Sequence, residues 1–231
     1  FERKKVWITG ASSGIGEALA YEFSKSNAEL VLSGRNEDRL KEVKHNCSQS
    51  NSPVTIVPFD LSDEESIKEA ANTVLSRVGY VDLLVNNGGI SQRELANKTD
   101  LDVDKKIMAI NYFGNIALTK AILPSMLENG GGHIAVTTSI VGKFGFPLRS
   151  AYSASKHALY GFYDTLRAEL EDKNVKVTMI CPGRIQTDIS LHALNGQGKE
   201  HGKLDDGQKH GISSRKAAKR IIRALNKEKK E

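Results

Sequence analysis

Cysteine is scarce in this chain. Two of its 231 residues, Cys47 and Cys181, carry a thiol, too few for a disulfide framework. Neither sits in a Cys-x-x-Cys pair, and no His/Cys cluster has metal-ligand spacing, so no metal site is expected. His192, His201 and His210 share one polar, glycine-rich segment and are read as loop residues. Cys181 follows the apolar run Val175–Ile180 and reads as a core thiol. Long apolar runs are also missing: none approaches the roughly 18 residues that a membrane span needs. No secretory signal pattern is visible. Charge of one sign is not dominant either. The net charge is +5, and much of the excess lies between Arg215 and Lys230. There Ala217, Ala218, Ile221, Ile222 and Leu225 recur at helical spacing. Residues 213–227 therefore read as an amphipathic helix with a solvated basic face, and no nucleic-acid partner is expected.

What the chain has in quantity is apolar residue, 39% of the total, enough for a sizeable core. Short apolar runs alternate with helical patterns. The runs are Val6–Thr9, Glu29–Ser33, Val54–Phe59, Val81–Val85, His133–Thr138 and Val175–Ile180. Helical segments span 14–26, 36–46, 63–78, 102–128 and 150–172. Most runs lack polar alternation, as strands covered on both faces do. The expectation is an α/β fold: a single Rossmann-like, doubly wound parallel sheet with helices on both faces, forming one domain over 1–231. Residues 190–212 break the pattern and are expected to form either a substrate lid or a disordered insertion. The chain opens Phe1-Glu-Arg-Lys-Lys5 without Met and closes on a charged run after its last helix. A longer parent is expected at both ends, with a membrane anchor before Phe1 and a further strand after the last helix.

The sequence Thr9-Gly-Ala-Ser-Ser-Gly-Ile-Gly16 falls where the first strand turns into the first helix. A helix N-terminus offers free N–H groups and a partial positive charge, which suits a phosphate. Gly10, Gly14 and Gly16 would supply the turn, the close approach and the helix-on-strand packing. Ser12 and Ser13 can add hydroxyl donors. By itself the pattern is equally well explained by sterics alone.

Further along come Asn86-Asn-Gly-Gly89, Asn111, Ser139, Tyr152-Ser-Ala-Ser-Lys156 and Pro182-Gly183. In this order and spacing, from Thr9 to about Thr187, the set resembles the short-chain dehydrogenase/reductases. Asn86–Arg93 and Ser155–Leu159 are similar to one particular branch of that family. One departure is Gly89, where most of the family has alanine. The resemblance implies a dinucleotide cofactor bound by Gly10, Ser12, Ser13, Gly14, Ile15, Gly16, Asp60, Leu61, Asn86, Gly88, Tyr152, Lys156, Pro182, Gly183 and Thr187. Asp60 would bond the adenine amino group, although it could equally cap a helix starting near Ser62. Homodimers or homotetramers through helices 102–128 and 150–172 are implied as well. So is a parent protein at the endoplasmic reticulum membrane, a cytoplasmic one being the alternative.

Tyr152 and Lys156 stand four apart in a helical pattern and so share a face. A tyrosine titrates near 10 in isolation, and a neighbouring ammonium lowers that value, which suits a proton donor at neutral pH. Ser139 ends a strand run, where a hydroxyl can polarise a substrate carbonyl. Thr137 and Thr138 are alternatives by type, and the family spacing selects Ser139. Asn111 reads as a buried polar residue needing partners. The resemblance gives it a water that links Lys156 to solvent.

At the end of the second strand, where an NAD enzyme commonly carries an acid, this chain reads Ser33-Gly34-Arg35-Asn36. A carboxylate would repel a 2′-phosphate, whereas Arg35 can hold it with paired bonds, aided by Ser12 and Asn36. NADP(H) is therefore expected. The function implied is hydride transfer between nicotinamide and a carbonyl or alcohol substrate, one of steroid, retinoid or quinone type. Phe144, Phe146, Pro147 and Leu148 give one pocket loop a matching apolar character. The alternative is an NADP(H)-binding sensor or scaffold without useful catalysis.

Overall fold

The computed structural model describes residues 1–47 and 52–231. Six parallel strands form the central sheet: β1 (Lys5–Thr9), β2 (Glu29–Ser33), β3 (Val54–Ile56), β4 (Leu83–Asn86), β5 (Gly132–Thr137) and β6 (Val175–Ile180). Their spatial order is β3-β2-β1-β4-β5-β6, so the winding reverses between β1 and β4. Val6 pairs with Leu83 and Ile8 with Val85 across that point. The helices are α1 (Gly14–Ser24), α2 (Glu37–Cys47), α3 (Glu64–Val78), α4 (Leu101–Met108), α5 (Asn115–Glu128), α6 (Ser150–Glu169), the short α7 (Asp206–Lys209) and α8 (Ser214–Asn226).

Strand side chains alternate between two cores, one on each face. Trp7, Val31, Leu84, Val136 and Val177 pack with Ile67 and Val74 of α3, Leu118 and Ile122 of α5, and Leu159 and Tyr163 of α6. Val6, Ile8, Leu30, Leu32 and Val85 pack with Leu19 and Phe23 of α1, Leu40 of α2, and Ile221 and Leu225 of α8. The expected doubly wound sheet is the observed one. Strand limits differ slightly: β3 ends at Ile56 rather than Phe59, and β4 occupies Leu83–Asn86 rather than Val81–Val85.

Between α4 and α5 the helix widens into a π-helical turn, Ala109–Gly114, which contains Asn111. The basic helix α8 buries its apolar stripe, Ala217, Ala218, Ile221 and Leu225, and turns its cations outward. After α8 the chain runs beside β6, where Met179 N donates to the Lys230 carbonyl at 3.0 Å. No helix among the described residues is long and apolar enough to cross a membrane.

Residues 190–212 fold back onto the domain. Two short strands, β7 (Ile185–Gln186) and β8 (Ile212–Ser213), bracket the segment. Ala193 and Leu194 are buried, and Leu194 exchanges main-chain bonds with Ser91 and Arg93 at 2.9 and 2.8 Å. The segment is thereby tied down over the carboxyl ends of the strands.

Candidate active site

Ligands of open α/β sheets bind where the strand order reverses, outside the carboxyl ends of the strands. Here that place is a cleft of about 900 Å³, within the usual size of a small-molecule site. The β1–α1 loop forms one wall. Gly10 and Gly14 have φ of +62° and +59°. A methyl on Gly10 would meet Gly88 Cα at 2.9 Å, and one on Gly16 would meet the Gly10 carbonyl oxygen at 2.2 Å. Only glycine lets these three backbones come together. The Ser13 side chain makes no capping bond to α1, which leaves its hydroxyl for a ligand.

The β4 loop is pinned to this wall. Thr9 Oγ1 accepts from Asn87 N at 3.0 Å and from Gly88 N at 2.9 Å. Asn87 Nδ2 donates to the Thr9 carbonyl, and Thr137 Oγ1 donates to Asn87 Oδ1 at 3.2 Å. These bonds join β1, β4 and β5 at the cleft floor. Pro182, Gly183 and Thr187 close the opposite side, where Thr187 packs against Gly14. The free N–H groups of α1 and the two loop serines form a cradle that side chains would fill, and it fits a dinucleotide phosphate.

Gly10, Ser12, Ser13, Gly14, Ile15, Arg35, Asp60, Leu61, Gly88, Pro182, Gly183 and Thr187 all line the cleft. Arg35 is exposed and makes no ion pair among the described residues. Asp60 Oδ1 accepts from Ser62 N and Ser62 Oγ, each at 2.8 Å. It does not cap a helix, because α3 starts at Glu64 and Asp63 caps it.

Three expected cofactor residues are placed elsewhere. Asn86 is buried, and its Nδ2 donates to Thr119 Oγ1 and the Tyr163 hydroxyl at 2.8 and 3.0 Å. Strand parity turns Asn86 into the core and leaves Asn87 facing the cleft. Asn36 sits before α2, where its Oδ1 accepts from Arg39 N at 3.0 Å; a helix start has claimed its side chain. Gly16 is a packing contact and does not line the cleft.

Three of the expected catalytic residues converge where β5, α6 and the β4 loop meet. Ser139, Tyr152 and Lys156 line the cleft together. Burial pushes the Tyr152 phenol up, while the Arg149 guanidinium and a hydrogen bond with Ser139 pull it down. Lys156 is 4% exposed, donates to the Thr137 carbonyl at 2.8 Å and lies 5.7 Å from the Tyr152 ring centroid. Burial brings its pKa down to about 8.

Asn111 is fully buried behind this group. Its Oδ1 accepts from Ile90 N at 2.8 Å, and its Nδ2 donates to the Ile90 carbonyl at 2.9 Å and to Ser155 Oγ at 3.0 Å. The side chain clamps the β4 loop and does not line the cleft. The π-helical turn is the local widening that presents it. Tyr160 and Tyr163 are buried in the core, as packing residues.

Sequence reasoning passed over Asn87, Arg93, Arg149 and Asp205, all of which line the cleft. Parity could have flagged Asn87. The two arginines and the aspartate carry no local pattern.

Comparison with known proteins agrees with this geometry. The family model described as "short chain dehydrogenase" matches residues 4–197. A Drosophila melanogaster protein, "Dehydrogenase/reductase SDR family protein 7-like", is 46% identical over 226 residues, 96% of this chain and 69% of the relative. The Mus musculus "Dehydrogenase/reductase SDR family member 7B" is 47% identical over 230 residues, 98% of this chain and 71% of the relative. Among solved structures, an alcohol dehydrogenase from Thermococcus sibiricus complexed with 5-hydroxy-NADP superposes with a TM-score of 0.84 at 28% identity, covering 96% of this chain and 90% of that one. A short-chain dehydrogenase/reductase from Burkholderia phymatum in complex with NAD superposes at 0.89 and 24% identity, over 99% and 87% of the two chains, and shares the fold.

Proposed function

Because this chain belongs to the short-chain dehydrogenase/reductase family of nicotinamide-dependent oxidoreductases, we propose that it is an NADP(H)-dependent reductase of lipophilic carbonyl compounds. The observation that carries the reading is the meeting of Tyr152, Ser139 and Lys156 in one cleft with the glycine loop.

When bound, the nicotinamide supplies or accepts the hydride. The chain's own groups manage the substrate oxygen. The Ser139 hydroxyl orients it and offsets developing negative charge. The Tyr152 hydroxyl donates the proton during reduction and takes it back during oxidation. The role we assign to Lys156, 5.7 Å from the ring centroid, is to favour the ionised phenol against the larger upward push of burial. Asn111 acts by position: its bonds to Ile90 fix the loop that borders both. At the phosphate side, the serines and helix N–H groups hold the diphosphate. The unpaired Arg35, one residue beyond Gly34, provides the charge for a 2′-phosphate.

The substrate wall supports a lipophilic ligand. Ile140, Phe144 and Phe146 line the cleft yet stay 46%, 47% and 44% exposed. Apolar side chains left in water beside a reactive centre suit an apolar substrate, such as a ketosteroid, a retinoid or a quinone. Association into homodimers or homotetramers would use the outer faces of α4, α5 and α6, where Phe113 is 57% exposed.

The test is NADPH oxidation against a panel of ketosteroids, retinal and quinones, with Tyr152→Phe alongside. Turnover should fall on the order of a hundredfold or more in the variant, while its NADPH titration matches wild type. A variant that turns over at the wild-type rate would remove Tyr152 from the reaction. Tight NADPH binding without turnover of any carbonyl would favour a sensor.

A further inference from the structure

Tyr152 has a cation on either hand. Lys156 Nζ lies 5.7 Å from its ring centroid, and the Arg149 guanidinium carbon lies 5.9 Å from it. Lys156 has a part in the proposed proton transfer, and Arg149 has none. Arg149 precedes α6, and its side chain is only 12% exposed, so water screens it weakly. It is held by two partners: it donates to Ser91 Oγ and to Asp205 Oδ2. The same Asp205 oxygen accepts from Arg93 at 3.1 Å. One carboxylate thus serves two guanidiniums.

Asp205 belongs to the segment folded over the cleft. Its backbone N–H donates to Ser190 Oγ at 3.0 Å within that segment. The counter-charge of Arg149 is therefore carried by the cover of the site, and the guanidinium by its floor. Asp205 thereby offsets part of the positive charge beside Tyr152.

We propose that Arg149 is a positioning and tuning residue for Tyr152, and that Asp205, from the 190–212 segment over the cleft, sets how much of its charge Tyr152 experiences. The proposal rests on Tyr152 being the proton donor. The other charged groups facing this region are Lys156 from α6, Arg93 from the β4 loop, Arg184 from the loop after β6, Asp188 from the turn after β7, and His192 and Asp206 from the cover itself. Of these, Arg93 shares the Asp205 oxygen. The direction Arg149 exerts is downward on the Tyr152 phenol, against the larger upward push of burial.

The experiment is an NMR titration of the full chain labelled with carbon-13 at the tyrosine ring carbon bearing the hydroxyl. The Tyr152 signal is assigned by its loss in Tyr152→Phe. Arg149→Gln should raise the Tyr152 midpoint, because the charge that opposes burial is gone. Asp205→Asn should lower it. Arg149→Lys keeps the charge but not the forked geometry, and should stay nearer to wild type than the glutamine variant. If Arg149→Gln does not fold, the Asp205→Asn and Arg149→Lys titrations carry the test. A midpoint unmoved in Asp205→Asn, or shared by Arg149→Gln and wild type, overturns the proposal. Normal turnover by Tyr152→Phe in the NADPH assay would overturn the proton-donor reading and this inference with it. An inactive Tyr152→Phe with unmoved midpoints would overturn the inference alone.

Discussion

Lys156 Nζ donates to the main-chain carbonyl of Thr137 at 2.8 Å, joining α6 to the last residue of β5. That bond holds a long, flexible cation in one place, but the place is nearly dry. The unfolded chain keeps the lysine proton up to the ordinary 10.5, whereas the folded chain keeps it only to about 8. Between those values the unfolded state binds more protons, so folding stability rises with pH across that window. Relative to Lys156→Met, the cofactor-free wild type should gain up to about 3 kcal/mol from pH 8 to pH 10.5. Urea unfolding of both proteins across that range checks it. Parallel curves would mean that the lysine is well solvated.

Arg35 sits beside Gly34, where a methyl would stand 3.3 Å from Ser12 Oγ. The tight glycine and the serine leave the guanidinium as the charged group at this corner. Arg35→Ala should weaken NADPH binding by about ten- to a hundredfold, the worth of a charge-assisted pair, and change NADH binding only a few-fold. Fluorescence titration with each dinucleotide separates the two. Equal losses for both would show that Arg35 does not read the 2′-phosphate.

Much of this was legible in the sequence. Strands such as Leu30-Val-Leu32 are buried on both faces, so their uninterrupted apolar character marks them, and the glycines punctuate the turns. Gly10 and Gly14 could be placed because their positive φ excludes most side chains. What could not be read was orientation. Asn86 and Asn87 are adjacent and chemically identical, and only the register of β4 decides which one faces the cleft. Asn36 was displaced because α2 starts one residue later than expected and takes its side chain. Arg149 and Asp205 meet across 56 residues, a distance at which no periodicity operates.

Gly89 is the position where this chain departs from the usual alanine. A methyl there would stand 3.0 Å from Asn111 Oδ1 and 3.7 Å from Lys156 Nζ. Asn111 is fixed by its bonds to Ile90 and Ser155, so it can yield little. Gly89→Ala should therefore lower stability by about 1 kcal/mol, the cost of modest overpacking, and leave NADPH affinity within about threefold. Thermal unfolding and a binding titration check the two halves. A loss of several kcal/mol would mean that the loop is far more rigid than these contacts require.

His133 supplies a pH dependence far from the cleft. It lies on β5, and its Nε2 is 2.9 Å from Thr178 Oγ1 on β6. Thr178 in turn donates to the Lys229 carbonyl, so the imidazole closes a chain of bonds along the sheet edge. Burial brings the His133 pKa down to about 4; Glu228 opposes the shift and Lys176 adds to it. The unfolded imidazole takes its proton near 6.5, while the folded one does so only near 4. The neutral folded form thus contributes stability above pH 6.5, which is lost as pH falls from 6.5 towards 4. Compared with His133→Gln, the wild type should lose up to about 3 kcal/mol across that interval. Denaturant midpoints of the two proteins at pH 7, 5.5 and 4.5 measure it. If the difference between them stays constant, His133 titrates normally in the fold and the acid sensitivity must come from another group.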